Sequence, residues 1–314
     1  MKLFYYKDPI GNFGDDLNPL IWYNLAPELF DDDGSDVLVG IGTLINSRAP
    51  LEPNKYVFGS GVGYHQFPDI SKKWEFYCVR GPLSAQRLGL DPSLALTDPA
   101  VLLTQVLPNR PVKRTGMVSF MPHHASSRFA DWKALCEQAG IHYIDPSYDI
   151  NETLFHIRQS RLVIAEAMHA AIVADALRVP WVPVACYDHI LDFKWDDWCQ
   201  SLGMTYTPHK IASIYDMERG FTRMETFKTG VKRNLRKMGI WTDNWTPPVP
   251  ETNRAAMEDQ VVAALRNLAE RATPCLSEER AHLESIERLM EKLDLVRRDV
   301  ARRHSGSAYP RVVA

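Results

Sequence analysis

Residues 160–184, SRLVIAEAMHAAIVADALRVPWVPV, constrain this chain more than any other stretch. Residues 161–167 form a short apolar run with β-branched Val163 and Ile164 inside it and read as a strand. Met168, Ile172 (or Ala171), Ala176 and Val179 recur at three-to-four spacing and read as a helix. Pro180 cannot continue a helix, and residues 181–185 read as the next strand. The result is a β-α-β unit with one acid, Glu166, near the strand end and one histidine, His169, at the strand-to-helix joint. In open α/β sheets ligands sit beyond the carboxyl ends of strands, where helix N-terminal N–H groups attract anions. A histidine at a helix start also satisfies backbone groups, so position alone leaves a site role and a scaffold role both open.

The chain has 314 residues, room for one large domain or two ordinary ones. Its 45% hydrophobic and 24% charged content is that of a soluble globular protein, and a net charge of −3 gives no global field for nucleic acid. The five cysteines are scattered with no C-x-x-C, which argues against a disulfide framework or structural zinc and suits a reducing compartment. No apolar run reaches the roughly 18 residues of a membrane span, and the first apolar run is short for a signal peptide. The expectation is a cytoplasmic protein, with contact at the inner face of a membrane left open.

Strand-helix alternation runs through the first 200 residues. A strand at residues 2–6 leads into a loop of turn formers, Asp8 to Asp16, and a helix at 17–25. Such a loop can cradle an anion or ligand, since glycine lets backbone N–H groups approach closely. It is not G-x-G-x-x-G, so the dinucleotide fingerprint is missing. Asp15 and Asp16 near the helix start suit the macrodipole whether or not they do chemistry. The run Asp31-Asp32-Asp33 reads as a solvated turn rather than a metal site. Strands at 37–41, 56–58 and 74–79 are each followed by glycine and small or polar residues, including Gly59-Ser60-Gly61 and Arg80-Gly81-Pro82-Leu83-Ser84. This layout suggests loops converging on one edge of a parallel sheet. The Arg80 fork suits a carboxylate or phosphate, with a structural ion pair as the competing reading.

The proline-rich, basic stretch 108–114 reads as an interdomain linker. Beyond it lie a strand at 117–121 ending in Pro122-His123-His124, a helix at 129–139 with Gly140 as C-cap, a strand at 142–144, and a helix to Gln159 opened by Asp149. Adjacent histidines at a strand end could bind an anion or relay a proton; zinc lacks its usual spacing. Residues 187–202 carry an apolar helical stripe, a core feature from which Lys194 could still reach a cleft. Residues 227–238 form a basic amphipathic helix followed by Trp241 and Trp245, which fits either an anionic bilayer surface or an ordinary surface helix. Helices at 254–270 and 277–303 follow, the second with Leu283, Ile286, Met290, Leu293 and Val300 at a/d spacing interrupted by Arg297, a seam for packing within the chain or across a homodimer. The expected domains are 1–110 and 111–207, both α/β, then a helical extension and tail at 208–314.

Taken in order, Asn12-Phe13-Gly14-Asp15-Asp16-Leu17, Gly59-Ser60-Gly61, Val79 to Ser84, Asp98-Pro99, Pro122-His123-His124 and residues 160–180 resemble the polysaccharide pyruvyl transferase family, in particular its bacterial exopolysaccharide members. The resemblance runs to about residue 202. It implies a GT-B-like architecture, two doubly wound α/β domains facing a cleft. It implies phosphoenolpyruvate as co-substrate, a sugar of a growing saccharide (free or polyprenyl-linked) as acceptor, and a pyruvate ketal as product, with no cofactor or metal. Family members carry Arg-Leu-His at the strand-helix joint; here Ala167-Met168-His169 keeps the histidine without the arginine. On this reading His169 is general acid or donor-phosphate ligand, and Asp15 is hydroxyl base or acceptor anchor. Arg80, His123, His124 and Lys194 are the candidates for the donor's anionic groups, Glu166 tunes His169, and Asn12, Gly14, Asp16, Gly59, Ser60, Gly61 and Ser84 complete the binding loops. The alternatives are a glycosyltransferase with a nucleotide-sugar donor, which the same architecture serves, and a non-catalytic saccharide-binding subunit.

Overall fold

A computed structural model describes residues 1–8, 11–63, 67–108, 115–216, 222–238 and 254–304. Most of the expected linker, the tryptophans at 241 and 245 and the tail after 304 lie outside these residues. The first sheet contains β1 (Lys2–Phe4), β2 (Asp36–Val39), β3 (Asn54–Phe58) and β4 (Trp74–Cys78), in that spatial order and all parallel. Helix α1 (Phe13–Leu25) follows β1, α2 (Pro82–Leu88) follows β4, and α3 (Leu103–Val106) closes this half. The second sheet contains β5 (Met117–Met121), β6 (His142–Tyr143), β7 (Ser160–Ala165), β8 (Trp181–Ala185) and β9 (His209–Lys210), in the order β6-β5-β7-β8-β9, again parallel throughout. Its connections carry α4 (Trp132–Ala139), α5 (Ile150–Gln159), α6 (Met168–Ala176) and α7 (Asp192–Ser201). The chain is therefore α/β with parallel sheets.

Strand periodicity shows how the layers stack. In the first sheet Val37, Val39 and Val57 enter an outer core, while Leu38, Tyr56 and Phe58 point the other way. In the second sheet Leu162, Ile164, Val182 and Val184 enter another outer core, while Val163, Ala165 and Trp181 point inward. The inward residues of both sheets belong to one continuous cluster. Side chains alternate across a strand, so each sheet is buried on both faces and the two halves share a central layer. Helix α6 lies in that layer. Ala170, Ala171, Ile172, Val173 and Ala174 are all buried, which its small, all-round apolar surface permits. It touches α1, α5, β7, β8 and the turn at Pro99–Leu102.

The later helices are α8 (Arg223–Lys237), α9 (Arg254–Arg271) and α10 (Glu279–His304). α9 covers α4 and β7. α10 returns to the first half and contacts β4. Its buried seam is Ile286, Leu289, Leu293, Val296 and Val300, an unbroken three-four alternation, whereas Leu283 is exposed. Arg297 lies beside the seam, donating to Glu28 and to the Leu25 carbonyl at the end of α1. α10 is thus part of the shared core and not an appendage, and its seam is filled from within the chain.

Candidate active site

In the second sheet the chain leaves β5 toward β6 on one side, while β7 lies on the other. The crevice at such a reversal is where ligands of open α/β sheets bind. The residues that follow β5 and β7 are Pro122-His123-His124 and Glu166 to His169. Facing them is the β1–α1 loop, and between them opens a cleft of about 900 Å³. Asn12, Gly14, Asp15, His123, His124, Ala167, His169 and Lys194 line it, together with His189, Lys7, Asp8, Arg48, Thr43 and Asn46.

His169 is the second residue of α6, whose N-terminus has no side-chain cap. Its ring lies against α1, and a Cβ at Gly14 would overlap it, so Gly14 is needed for close approach. On its other edge Nε2 lies 3.6 Å from Asp98 Oδ2. Both atoms are buried and have no hydrogen-bond partner among the described residues. Asp98 is itself fixed, because its Oδ1 caps the turn at Pro99–Leu102 by accepting from Ala100 N at 3.0 Å. At this separation the carboxylate faces the Nε2 edge of the ring as a charge without bonding to it.

Asp15 lies in the first turn of α1, where its carboxylate accepts from Asn12 Nδ2 at 2.6 Å. Burial pushes it up to about 6 against the opposing pull of His169 and Lys194. Lys194 projects from α7. Burial lowers it to about 7, with the Arg80 charge adding and Asp15 opposing. A carboxyl pushed up and an ammonium pushed down toward neutrality, in one cleft, suit proton transfer and anion binding.

The histidines after β5 and β8 form a second group. His123 and His124 rings are 4.5 Å apart, and His123 and His189 rings 5.2 Å. His123 Nδ1 accepts from Ala125 N at 3.2 Å. Burial lowers all three, His123 furthest below its ordinary range and His189 to about 4, with neighbouring cations adding to the effect. An anion bound here would reverse that shift and draw protons into the site.

Several expected contributors lie behind the cleft. Arg80 is wholly buried and donates to Asp197 Oδ2 at 3.0 Å, Thr43 Oγ1 at 3.2 Å and the Val62 carbonyl at 3.0 Å. Ser84 donates to the same Asp197 through N at 2.8 Å and Oγ at 2.5 Å. Arg80 and Ser84 therefore fasten α7 to α2 and do not reach into the cleft; the structural ion pair is the reading the geometry supports. Ser60 Oγ accepts from Leu44 N and donates to the Gly42 carbonyl, both at 3.1 Å, shaping the loop after β2 from beneath. Gly59 and Gly61 make room for Pro99 and Arg80. Asp16 accepts from Asn12 N at 3.2 Å. Glu166 does not meet His169. It accepts from His123 N at 3.0 Å and Cys186 N at 2.9 Å, tying the ends of β5, β7 and β8 together. Burial raises it, and these bonds with Ser126 pull it back.

His189, Lys7 and Arg48 were not singled out from sequence, and Asp98 was named only within the Asp98-Pro99 motif, with no site role. His189 had a signal. It follows β8 directly, but the apolar stripe at 187–202 reads as one helix, whereas α7 starts only at Asp192. Trp195 and Trp198 of that stripe are core residues as expected, and Lys194 reaches the cleft.

The sequence model of the family described as polysaccharide pyruvyl transferase matches residues 1–189 of this chain, which include every cleft residue named above except Lys194. The chain is 35% identical to the succinoglycan biosynthesis protein ExoV of Rhizobium meliloti (strain 1021), over 95% of this chain and 99% of that protein. No solved structure matches it.

Proposed function

This chain belongs to the polysaccharide pyruvyl transferase family, and on that premise we propose that it forms a pyruvate ketal on a sugar of an exopolysaccharide, with phosphoenolpyruvate as donor. The observation that carries the reading is the meeting of His169, Asp15 and Lys194 around one cleft beside a cluster of half-buried histidines. The finer architecture we propose is GT-B-like, with the two α/β halves facing across that cleft.

The donor brings a phosphate and a carboxylate. Lys194 and the His123, His124 and His189 group are the cations and donors for them. Lys194 takes the part of the arginine that family members carry where this chain has Ala167. The chemistry then runs in two additions. His169 gives a proton to the methylene carbon, which becomes the methyl group. A sugar hydroxyl attacks the adjacent carbon as Asp15 takes its proton. Phosphate leaves with the carbon–oxygen bond electrons, and a second hydroxyl closes the ketal, its proton leaving on the phosphate. Asp98 is a positioning residue that holds the His169 ring for the first step. Tyr5 and Tyr6, which also line the cleft, are the aromatic candidates for contact with the acceptor sugar. The acceptor we propose for this cleft is a saccharide carried on a polyprenyl lipid.

Asp15 must be ionised to accept a proton, and Lys194 must be protonated to hold an anion. Acceptor-dependent phosphate release from phosphoenolpyruvate is therefore expected to rise as pH passes about 6 and to fall as it passes about 7. Asp15→Asn removes the acidic limb. A flat profile across this range, or no release at any pH, would contradict the reading.

A further inference from the structure

We infer that the outward face of α8 docks on an anionic lipid surface. The inference rests on this helix alone and is independent of the chemistry in the cleft. Thr222 and Glu225 form a reciprocal capping box, with Thr222 N to Glu225 Oε2 at 2.8 Å and Glu225 N to Thr222 Oγ1 at 3.2 Å, so the helix start is fixed locally. The helix is amphipathic, but it is turned the opposite way from a core helix. Thr229 is buried, at 8% exposure, while Met224, Phe227, Val231 and Met238 are 61%, 69%, 42% and 70% exposed. At 3.6 residues per turn these four fall on one stripe, Met238 standing one residue past the end of α8 with its N–H still bonded to the Asn234 carbonyl. A packed helix presents its apolar stripe to the protein, so an outward stripe of this length marks a surface that something else covers.

Charge selects the occupant. The helix has six basic residues and one acid, Glu225, in a chain whose net charge is −3. Arg223 and Lys228, both exposed, stand on the two sides of the stripe, with Lys232 beyond Lys228. Apolar side chains flanked on both sides by cations match an interface of acyl chains beneath anionic headgroups. A second copy of this chain would bring the same cations face to face, and a packed protein partner has no need of them on both flanks. No helix among the described residues is long and apolar enough to cross a membrane, so the contact would be peripheral.

The test is sedimentation of the full-length protein with vesicles of phosphatidylcholine alone or mixed with phosphatidylglycerol, at low and raised salt. The expected result is binding to the anionic vesicles only, weakened by salt. Arg223→Ala with Lys228→Ala should lower partitioning by roughly fivefold per charge removed. Phe227→Asp should abolish it. These side chains are exposed, so thermal unfolding should not move. No binding to anionic vesicles, or equal binding by wild type and variants, would overturn the inference. A solution mass that halves in Phe227→Asp without vesicle binding would also overturn it, and would assign the face to a second copy.

Discussion

Replacing His169 with alanine is expected to lower kcat about a thousandfold while leaving the protein folded, the size of effect that loss of a general acid produces. The ring sits at the entrance of α6 with its own pocket, Gly14 on one edge and Asp98 on the other. Among the described residues no backbone group bonds to its Nε2, so removal leaves a space that solvent can enter from the cleft. Protonation of a carbon is the hardest proton transfer in ketal formation, and loss of its donor should appear in kcat. A residue that only binds the donor phosphate would show itself in KM instead. Asp98→Asn provides the companion result. The amide keeps the cap on Ala100 N but removes the charge that faces His169 Nε2, so kcat should fall by a smaller factor with donor KM little changed. Activity within tenfold of wild type in His169→Ala would remove this histidine from the chemistry.

Arg80→Ala is expected to destabilise the fold by about 3–5 kcal/mol, because it leaves Asp197 charged and unpaired in the interior. In a chain of this size that lowers Tm by on the order of 10 °C. Ser84 still donates to Asp197 and limits the damage but cannot neutralise the charge. The double change Arg80→Met with Asp197→Leu should recover most of the loss, since it removes both buried charges together. The same double variant tests the expectation that Arg80 holds a donor anion. With the arginine only structural, donor KM stays near wild type, and Lys194, relieved of the Arg80 charge, keeps its proton to higher pH. Unchanged stability in Arg80→Ala, with donor KM raised tenfold or more, would return Arg80 to the binding site.

These two residues also show what a sequence can and cannot disclose. The β7–α6–β8 unit was legible because its signals are local. A continuous apolar run, a helical spacing and Pro180 lie within 25 residues, and the strand and helix form where those signals place them. The ends differ by a few residues, since β7 stops at Ala165 and α6 at Ala176. His123, His124, His169 and Asp15 were legible as candidates because each follows a strand end or opens a helix, and the cleft brings them together. The role of Arg80 was not legible. Its partner Asp197 is 117 positions away in a helix that reads as plain core, and nothing in the sequence reports that α7 docks on α2. Asp98 was visible only as part of the Asp98-Pro99 motif. Its second oxygen comes to face His169 Nε2 at 3.6 Å when the two halves close around α6, an event with no local signature. α10 illustrates a third case: Arg297 interrupted the wrong seam, and shifting to Leu289 and Val296 restores an unbroken pattern that the structure fills.

The central claim is that this cleft transfers a pyruvyl group from phosphoenolpyruvate to a saccharide. The measurement that tests it most directly is the mass of an exopolysaccharide-derived oligosaccharide after incubation with enzyme and phosphoenolpyruvate, read alongside phosphate released. The account predicts a product heavier by one pyruvate ketal, one phosphate for each ketal formed, and neither in His169→Ala. An unchanged acceptor with no phosphate, under conditions where a nucleotide sugar extends that same acceptor, would contradict it.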